Sequence, residues 1–183
     1  MYVNDNTRVS LKGRVHVAKY AGPLHDASTD AYLGGFTGDN LVVNSAETVL
    51  VGLMRRDIAA YIPQNVVIGT GGDLEQVSKL DSGARVAPAA TDTEVRQVIA
   101  RLPIVQVVYD EAADPNTFTY VAIAKPSEAT TGSLNELGLE SANQTLISHY
   151  VTEPAAGETR AKKFPKSTLE YLVVRWSLTL TLS

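Results

Sequence analysis

The 183-residue sequence contains no cysteine. That absence excludes a disulfide framework and thiolate chemistry, and with them the cysteine-rich secreted scaffolds, without fixing a compartment. Aromatic residues make up only 7% of the chain, with a single tryptophan. The three histidines, His16, His25 and His149, are scattered and show neither an H-E-x-x-H motif nor paired-ligand spacing, so no metal site is expected. No apolar run approaches the roughly 20 residues that a helix needs to cross a bilayer. The opening MYVNDNTRVSLKGR lacks the basic-then-apolar layout of a signal peptide. Together these predict a soluble protein without membrane insertion. Neither sign of charge dominates: 16 Lys and Arg stand against 20 Asp and Glu, for a formal net charge of −4. A direct nucleic-acid partner is not expected, because affinity for phosphate backbones comes largely from an excess of Lys and Arg.

What is present is the make-up of an ordinary folded domain, with 44% apolar and 20% charged residues and enough chain for one core. Period-two alternation over Arg8–Tyr20 predicts a strand, or a strand pair bent at Gly13. The Gly-, Asp- and Thr-rich stretch from Ala21 to Asn40 predicts a long loop or short hairpin. NLVVNSAETVLVGLMRRDIAAYIP then predicts a short strand, Leu41–Val43, and one helix over about 45–62. Asn44 and Glu47 are spaced as a capping box, Ala46, Val49, Leu50, Leu53 and Ile58 form the apolar stripe, and Pro63 is the stop. Beyond Pro63 the chain reads mostly as strands. They include Glu94–Arg101 and Ile104–Tyr109, which are either two strands separated by Pro103 or one bent there at an edge, then Thr117–Ala124 and the closing LEYLVVRWSLTLTLS. One helix and about eight strands predict a mainly β fold, an antiparallel β-sandwich or jelly-roll-like domain with the helix packed against a sheet. The expected division is residues 1–40 as N-terminal strand and irregular arm, and 41–183 as the sandwich, unless 1–183 is one continuous domain.

The stretch NVVIGTGGDL, Asn65–Leu74, brings a strand to a glycine cluster, as nucleotide-binding folds do. A dinucleotide fingerprint needs its third glycine where Leu74 stands, and a triphosphate-binding loop needs Lys where Asp73 places a negative charge. The remaining reading is a tight turn in a conformation that side chains disfavour, and no cofactor is expected. No G-x-S-x-G elbow is present, Ser148 and His149 would point to opposite faces of a strand, and Glu136 and Glu170 form no catalytic pair by spacing. No catalytic residue is identified and the chain is not expected to be an enzyme. KKFPK, Lys162–Lys166, is the single basic cluster; it is either a solvated face or a contact for a neighbour's acidic patch.

Four stretches in order, NLVVN (Asn40–Asn44), YIPQNVVIGTGG (Tyr61–Gly72), TEVR (Thr93–Arg96) with a VVY strand and GSLNELGL (Gly132–Leu139), and LEYLVVRWSLTLTL (Leu169–Leu182), are similar to stretches of a loosely defined class of tailed-bacteriophage structural proteins of the tail-fibre, baseplate or neck-associated type. Members often carry phenylalanine after the E-x-G-L unit, where this chain has Glu140. The resemblance implies a multicopy virion building block at the tail, baseplate, neck or collar, or fibre attachment, assembled in the host cytoplasm. Its expected partners are itself, as a symmetric oligomer, and other virion proteins. The alternative is a fibre-associated module binding a receptor or a host-surface glycan. Aromatics embedded in polar sequence and the basic cluster supply the candidate interface: Tyr2, Tyr20, Tyr32, Phe36, Lys162, Lys163, Phe164 and Lys166. The same aromatics could equally cover the domain's own core.

Overall fold

The computed structural model describes residues 9–22, 31–75, 78–109, 112, 114–130 and 132–182. Within them the chain runs β1 (Val9–Ala21), β2 (Tyr32–Val42), α1 (Ser45–Met54), α2 (Ile58–Tyr61), β3 (Pro63–Gly69), β4 (Val98–Tyr109), β5 (Thr117–Ala124), β6 (Ser133–Leu134), β7 (Glu136–Ser141), β8 (Leu146–Val151), β9 (Phe164–Pro165) and β10 (Glu170–Leu182). Strands β1-β10-β5-β4-β3-β7-β8-β2 close into an antiparallel barrel, while β6 and β9 form a separate pair. No helix among the described residues is long and apolar enough to cross a membrane.

The closed barrel overturns the expected sandwich or jelly roll. The difference lies in two strands that turn corners. β2 pairs with β1 through Tyr32–Asn40 and then with β8 through Leu41 and Val42. β4 pairs with β3 as far as Pro103 and with β5 from Ile104 onward. In a sandwich each would border one sheet; here each bends from one sheet into the other and joins them. Pro103, which has no amide hydrogen, occupies the last position opposite β3, and the register slips at Val105 just beyond it. The strand therefore bends where its ladder changes partner. Of the two readings of this stretch, two strands or one bent at Pro103, the structure has the single bent strand.

Within the stretch expected as a long loop or short hairpin, residues 32–40 form a strand paired antiparallel with β1 in the barrel wall. Its glycines hide the strand pattern, and two of them answer a demand for space: a Cβ on Gly35 would run into Val17 O and one on Gly38 into the Tyr150 ring, whereas Gly34 has open space and a φ of 132°. The interior is filled by Val15 and Val17 of β1, Val66 and Ile68 of β3, Leu137 and Leu139 of β7, and Leu172, Val174 and Trp176 of β10. Trp176, fully buried, donates its indole N–H to Asn40 Oδ1 at 2.7 Å, while Asn40 Nδ2 donates to Gly13 O at 3.1 Å.

The single helix expected over 45–62 is two short ones. Arg56 adopts a left-handed φ of 64° between them, and Gly52 lies so close to the Tyr61 ring that α2 folds back on α1. Asn44 makes no side-chain cap; its backbone N–H donates to Ala90 O at 2.8 Å. Ala46, Val49 and Gly52 are the buried positions, whereas Leu50 and Ile58 from the expected stripe remain 39% and 55% exposed. Val49→Ala should therefore destabilise the fold by about 1.5–3 kcal/mol. Leu50→Ala should cost less than about 1 kcal/mol, and urea unfolding of the two variants checks the contrast.

Candidate functional site

Strands β7 and β8 are buried along their whole length, although they carry Glu136, Glu140, Ser148 and His149. Register explains why. Leu137 and Leu139 face the barrel interior with Val66 and Ile68, so Glu136, Gly138 and Glu140 point outward together with Val67 and His149. This outer face would be solvated on an uncovered barrel. Instead residues 86–97 lie over it, with Val95 packed in a second apolar cluster with Val43, Val67 and Leu146. Gly138 makes the contact possible, since a Cβ there would meet Val95 at 2.6 Å and Leu146 at 2.8 Å.

Beneath this cover four charged side chains meet. His149 Nδ1 is 2.6 Å from Asp92 Oδ2 and its Nε2 is 2.8 Å from Glu136 Oε1. Arg96 Nη2 lies 3.4 Å from Asp92 and Nη1 3.6 Å from Glu136, and the guanidinium also donates to the carbonyls of Val86 and Ala87. Glu136 accepts the backbone N–H groups of Arg96 at 3.0 Å and Gln97 at 3.4 Å, and Asp92 accepts that of Ala89 at 3.0 Å. All four side chains are at most 4% exposed. Both histidine nitrogens face carboxylate oxygens, and only the imidazolium can donate from both at once. Two positive and two negative groups then balance.

Burial works against the charge on His149. Its hydrogen bonds to Asp92 and Glu136, and the Glu136 charge, outweigh burial and the repulsion of Arg96, so its pKa is raised above the ordinary 6.5. Burial likewise opposes ionisation of Asp92, but the hydrogen bonds from His149 and Ala89, with the His149 and Arg96 charges, bring its pKa below 3.8. The cluster is a clamp that holds the cover to β7 and β8. With its histidine nitrogens engaged and a guanidinium in its midst it offers no open ligand position, and among the described residues no group of three or more His, Asp or Glu side chains could hold a metal. The neighbouring Glu140 is bound by Arg101 Nε at 3.0 Å, also on the outer face.

Gly69 and Gly71 of NVVIGTGG abut Glu136 of this clamp, and Gly72 lies against Asn135, Val151 and Ala161. Gly69, Gly71 and Gly72 do not have left-handed φ angles; they are glycines because nothing larger fits. A Cβ on Gly71 would stand 2.7 Å from Glu136 Oε2, 2.7 Å from Arg96 Cβ and 2.8 Å from the Gln97 nitrogen. The expected turn does form, with Leu74 N–H donating to Gly71 O at 2.8 Å, but close approach, and not a side-chain-disfavoured conformation, is what requires its glycines. Asp73, beyond it, accepts the N–H of Ala161 at 2.7 Å, and Asn135 accepts that of Gly72 at 2.9 Å. Gly71→Ala should destabilise by about 1–3 kcal/mol through displacement of the clamp, measurable as a lower urea midpoint at unchanged slope.

The candidate interface residues scatter. Tyr2 lies outside the described residues. Tyr20 and Tyr32 oppose each other on β1 and β2 with ring centroids 5.9 Å apart, and Tyr32 is half exposed. Phe36 stacks on Tyr150 at 5.8 Å and meets Phe164 edge-on at 5.1 Å, and both phenylalanines pack against the domain's own core. Lys162 and Lys163 are exposed, but Lys166 is buried and donates to the carbonyls of Lys125 and Pro126. Burial pushes its pKa down, opposed by Glu170 and Glu128. Glu170, considered with Glu136, sits apart from the clamp, 3.5 Å from Lys19. Ser148 bonds Leu41 O while His149 points into the clamp.

Among the described residues, one open surface is distinctly apolar. At the end of the barrel where β1 and β5 begin and β10 ends, α1 stands off from the sheet and leaves a recess of about 310 Å³. Leu50 and Leu53 line one wall, and Leu11, Phe118, Tyr120 and Leu180 line the other. Next to it on β4, Val107 and Tyr109 oppose Tyr120 and Phe118, with Tyr109 and Phe118 stacked at 4.9 Å and both about half exposed. No local sequence pattern marks this surface, because its members come from five separate elements. Comparison of the chain with protein-family models, with curated proteins and with solved structures found no match.

Proposed function

We propose that this chain is a multicopy structural component of a tailed-phage virion, placed at the tail, baseplate, neck or fibre attachment and assembling with itself and with other virion proteins. The virion assignment draws on the four ordered stretches that resemble phage structural proteins. The observation that carries an assembly role is the apolar end of the barrel. Leu50, Val107, Tyr109, Phe118 and Leu180 there are 37–52% exposed, and Met54 on the same helix as Leu50 is 84% exposed. Contiguous apolar surface of this kind is the common mark of a protein-contact site. The charged cluster is sealed, so its contribution to this role is stiffness: it fastens the 86–97 cover to the barrel and leaves the apolar end as the adhesive surface.

The test is twofold. Solution mass measurement of the purified chain should show an oligomer, and peptide mass spectrometry of purified phage particles should find the chain in multiple copies. A strictly monomeric chain that is absent from particles would sink the reading.

A further inference from the structure

The corner in β4 has a consequence for assembly. As far as Pro103 the strand has neighbours on both sides in the barrel wall, but Ile104–Tyr109 pairs only with β5. Among the described residues no strand lies on the other side. A row of backbone N–H and C=O groups is left open there over six residues, IVQVVY. Natural edges are usually guarded by charge, proline or a bulge. Here the slip at Val105 twists only the start, and Gln106–Tyr109 continues in regular register with β5. No charged residue, glycine or proline occurs in the run, whose exposed members Val105, Val107, Val108 and Tyr109 are 43–59% accessible. The corresponding border on β2, Tyr32–Asn40, differs: it carries Gly34, Gly35, Gly38 and Asp39, and Phe36 within it is engaged by Phe164.

We propose that the Ile104–Tyr109 edge of β4 pairs antiparallel with the same edge of a second copy across a two-fold axis, joining the two barrels through one continuous sheet. A strand is the occupant because an open edge offers main-chain hydrogen bonds, which only another extended segment can satisfy along its length. A second copy is the occupant because an uncharged edge can meet itself without like-charge repulsion. Two-fold self-pairing is also necessarily antiparallel, the geometry of every ladder in this barrel. The exposed valines of the two copies then flank one another, and the adjoining recesses come together as a larger apolar surface for further partners. This inference rests on the multicopy reading above and specifies its contact.

Sedimentation of the full-length chain tests it. The wild type should be a dimer or a multiple of one. Val107→Lys should raise the dimer dissociation constant by about tenfold or more, with the thermal midpoint of the monomer unchanged. Because the chain has no cysteine, single substitutions Val105→Cys, Gln106→Cys, Val107→Cys and Val108→Cys each introduce the sole thiol. At least one should form an intermolecular disulfide under mild oxidation, since a two-fold axis brings a position close to its own copy. An oligomer that is insensitive to Val107→Lys and is cross-linked by none of the four would overturn the edge contact while leaving the multicopy reading standing. A wild type that remains monomeric at roughly 100 µM would overturn the edge contact outright. Detection in particles would then decide the virion role separately.

Discussion

Glu136→Gln should lower the unfolding free energy by about 3–5 kcal/mol, because it leaves the buried His149 and Arg96 charges with one carboxylate instead of two. For a chain of this length that corresponds to a fall in melting temperature of roughly 6–20 °C. The amide that replaces the carboxylate keeps the shape of the side chain but turns one of the two oxygens that accept the Arg96 and Gln97 N–H groups into a donor, so the loss combines charge with one unmade hydrogen bond and spares the packing. A change below about 1 kcal/mol in urea unfolding would show that the cluster does not hold two full charge pairs. The clamp also sets a pH profile. His149 has a raised pKa in the folded state, so its contribution is complete below 6.5 and is lost as pH rises through the raised value. Asp92 has a lowered pKa, so its contribution is complete above 3.8 and is lost as pH falls through the lowered value. Stability from the clamp should peak between these limits, and unfolding midpoints of wild type and His149→Gln, followed from within this window to well above pH 6.5, should draw together as pH rises through the raised value.

Trp176→Ala should cost about 3–5 kcal/mol, the usual penalty for emptying the site of a large buried aromatic. It is the largest fully buried side chain in the barrel, and its removal also leaves the Asn40 oxygen without its indole donor. Trp176→Phe separates the two effects. It retains much of the packing and should cost about 1–2 kcal/mol for the unmade hydrogen bond and the lost volume. Equal losses in the two variants would mean that the hydrogen bond, not the filling of the barrel, dominates at this position.

Both positions were visible in the sequence as residues, and neither was visible as a partner. Trp176 stands in the plainest alternating strand of the chain, and β10 forms over Glu170–Leu182 much as that alternation predicts. Glu136 and His149 stand at alternate positions of short apolar strands, the pattern of solvent-facing side chains. The pattern is right about direction, because both point out of the barrel. It could not reveal that Asp92 and Arg96, from a loop some 40 and more residues away, lie over them. A long-range cover has no period of its own to read, and a charge under it looks the same in sequence as a charge in water.

The local sequence by itself therefore determined the strands that alternate, the start of the helical region and the absence of a phosphate-binding glycine motif, because these depend on side-chain period and on nearest neighbours. Tertiary structure decided the rest. Whether β2 and β4 border two sheets or join them is a matter of which backbone faces their second edge. Whether Gly38, Gly69 and Gly71 make turns or admit a close neighbour depends on Tyr150, Val95 and Glu136, each far along the chain. The closed barrel, the buried clamp and the open edge of β4 share one physical origin: hydrogen-bond partners and burial are set by segments distant in sequence, and a linear pattern records only which way each side chain points.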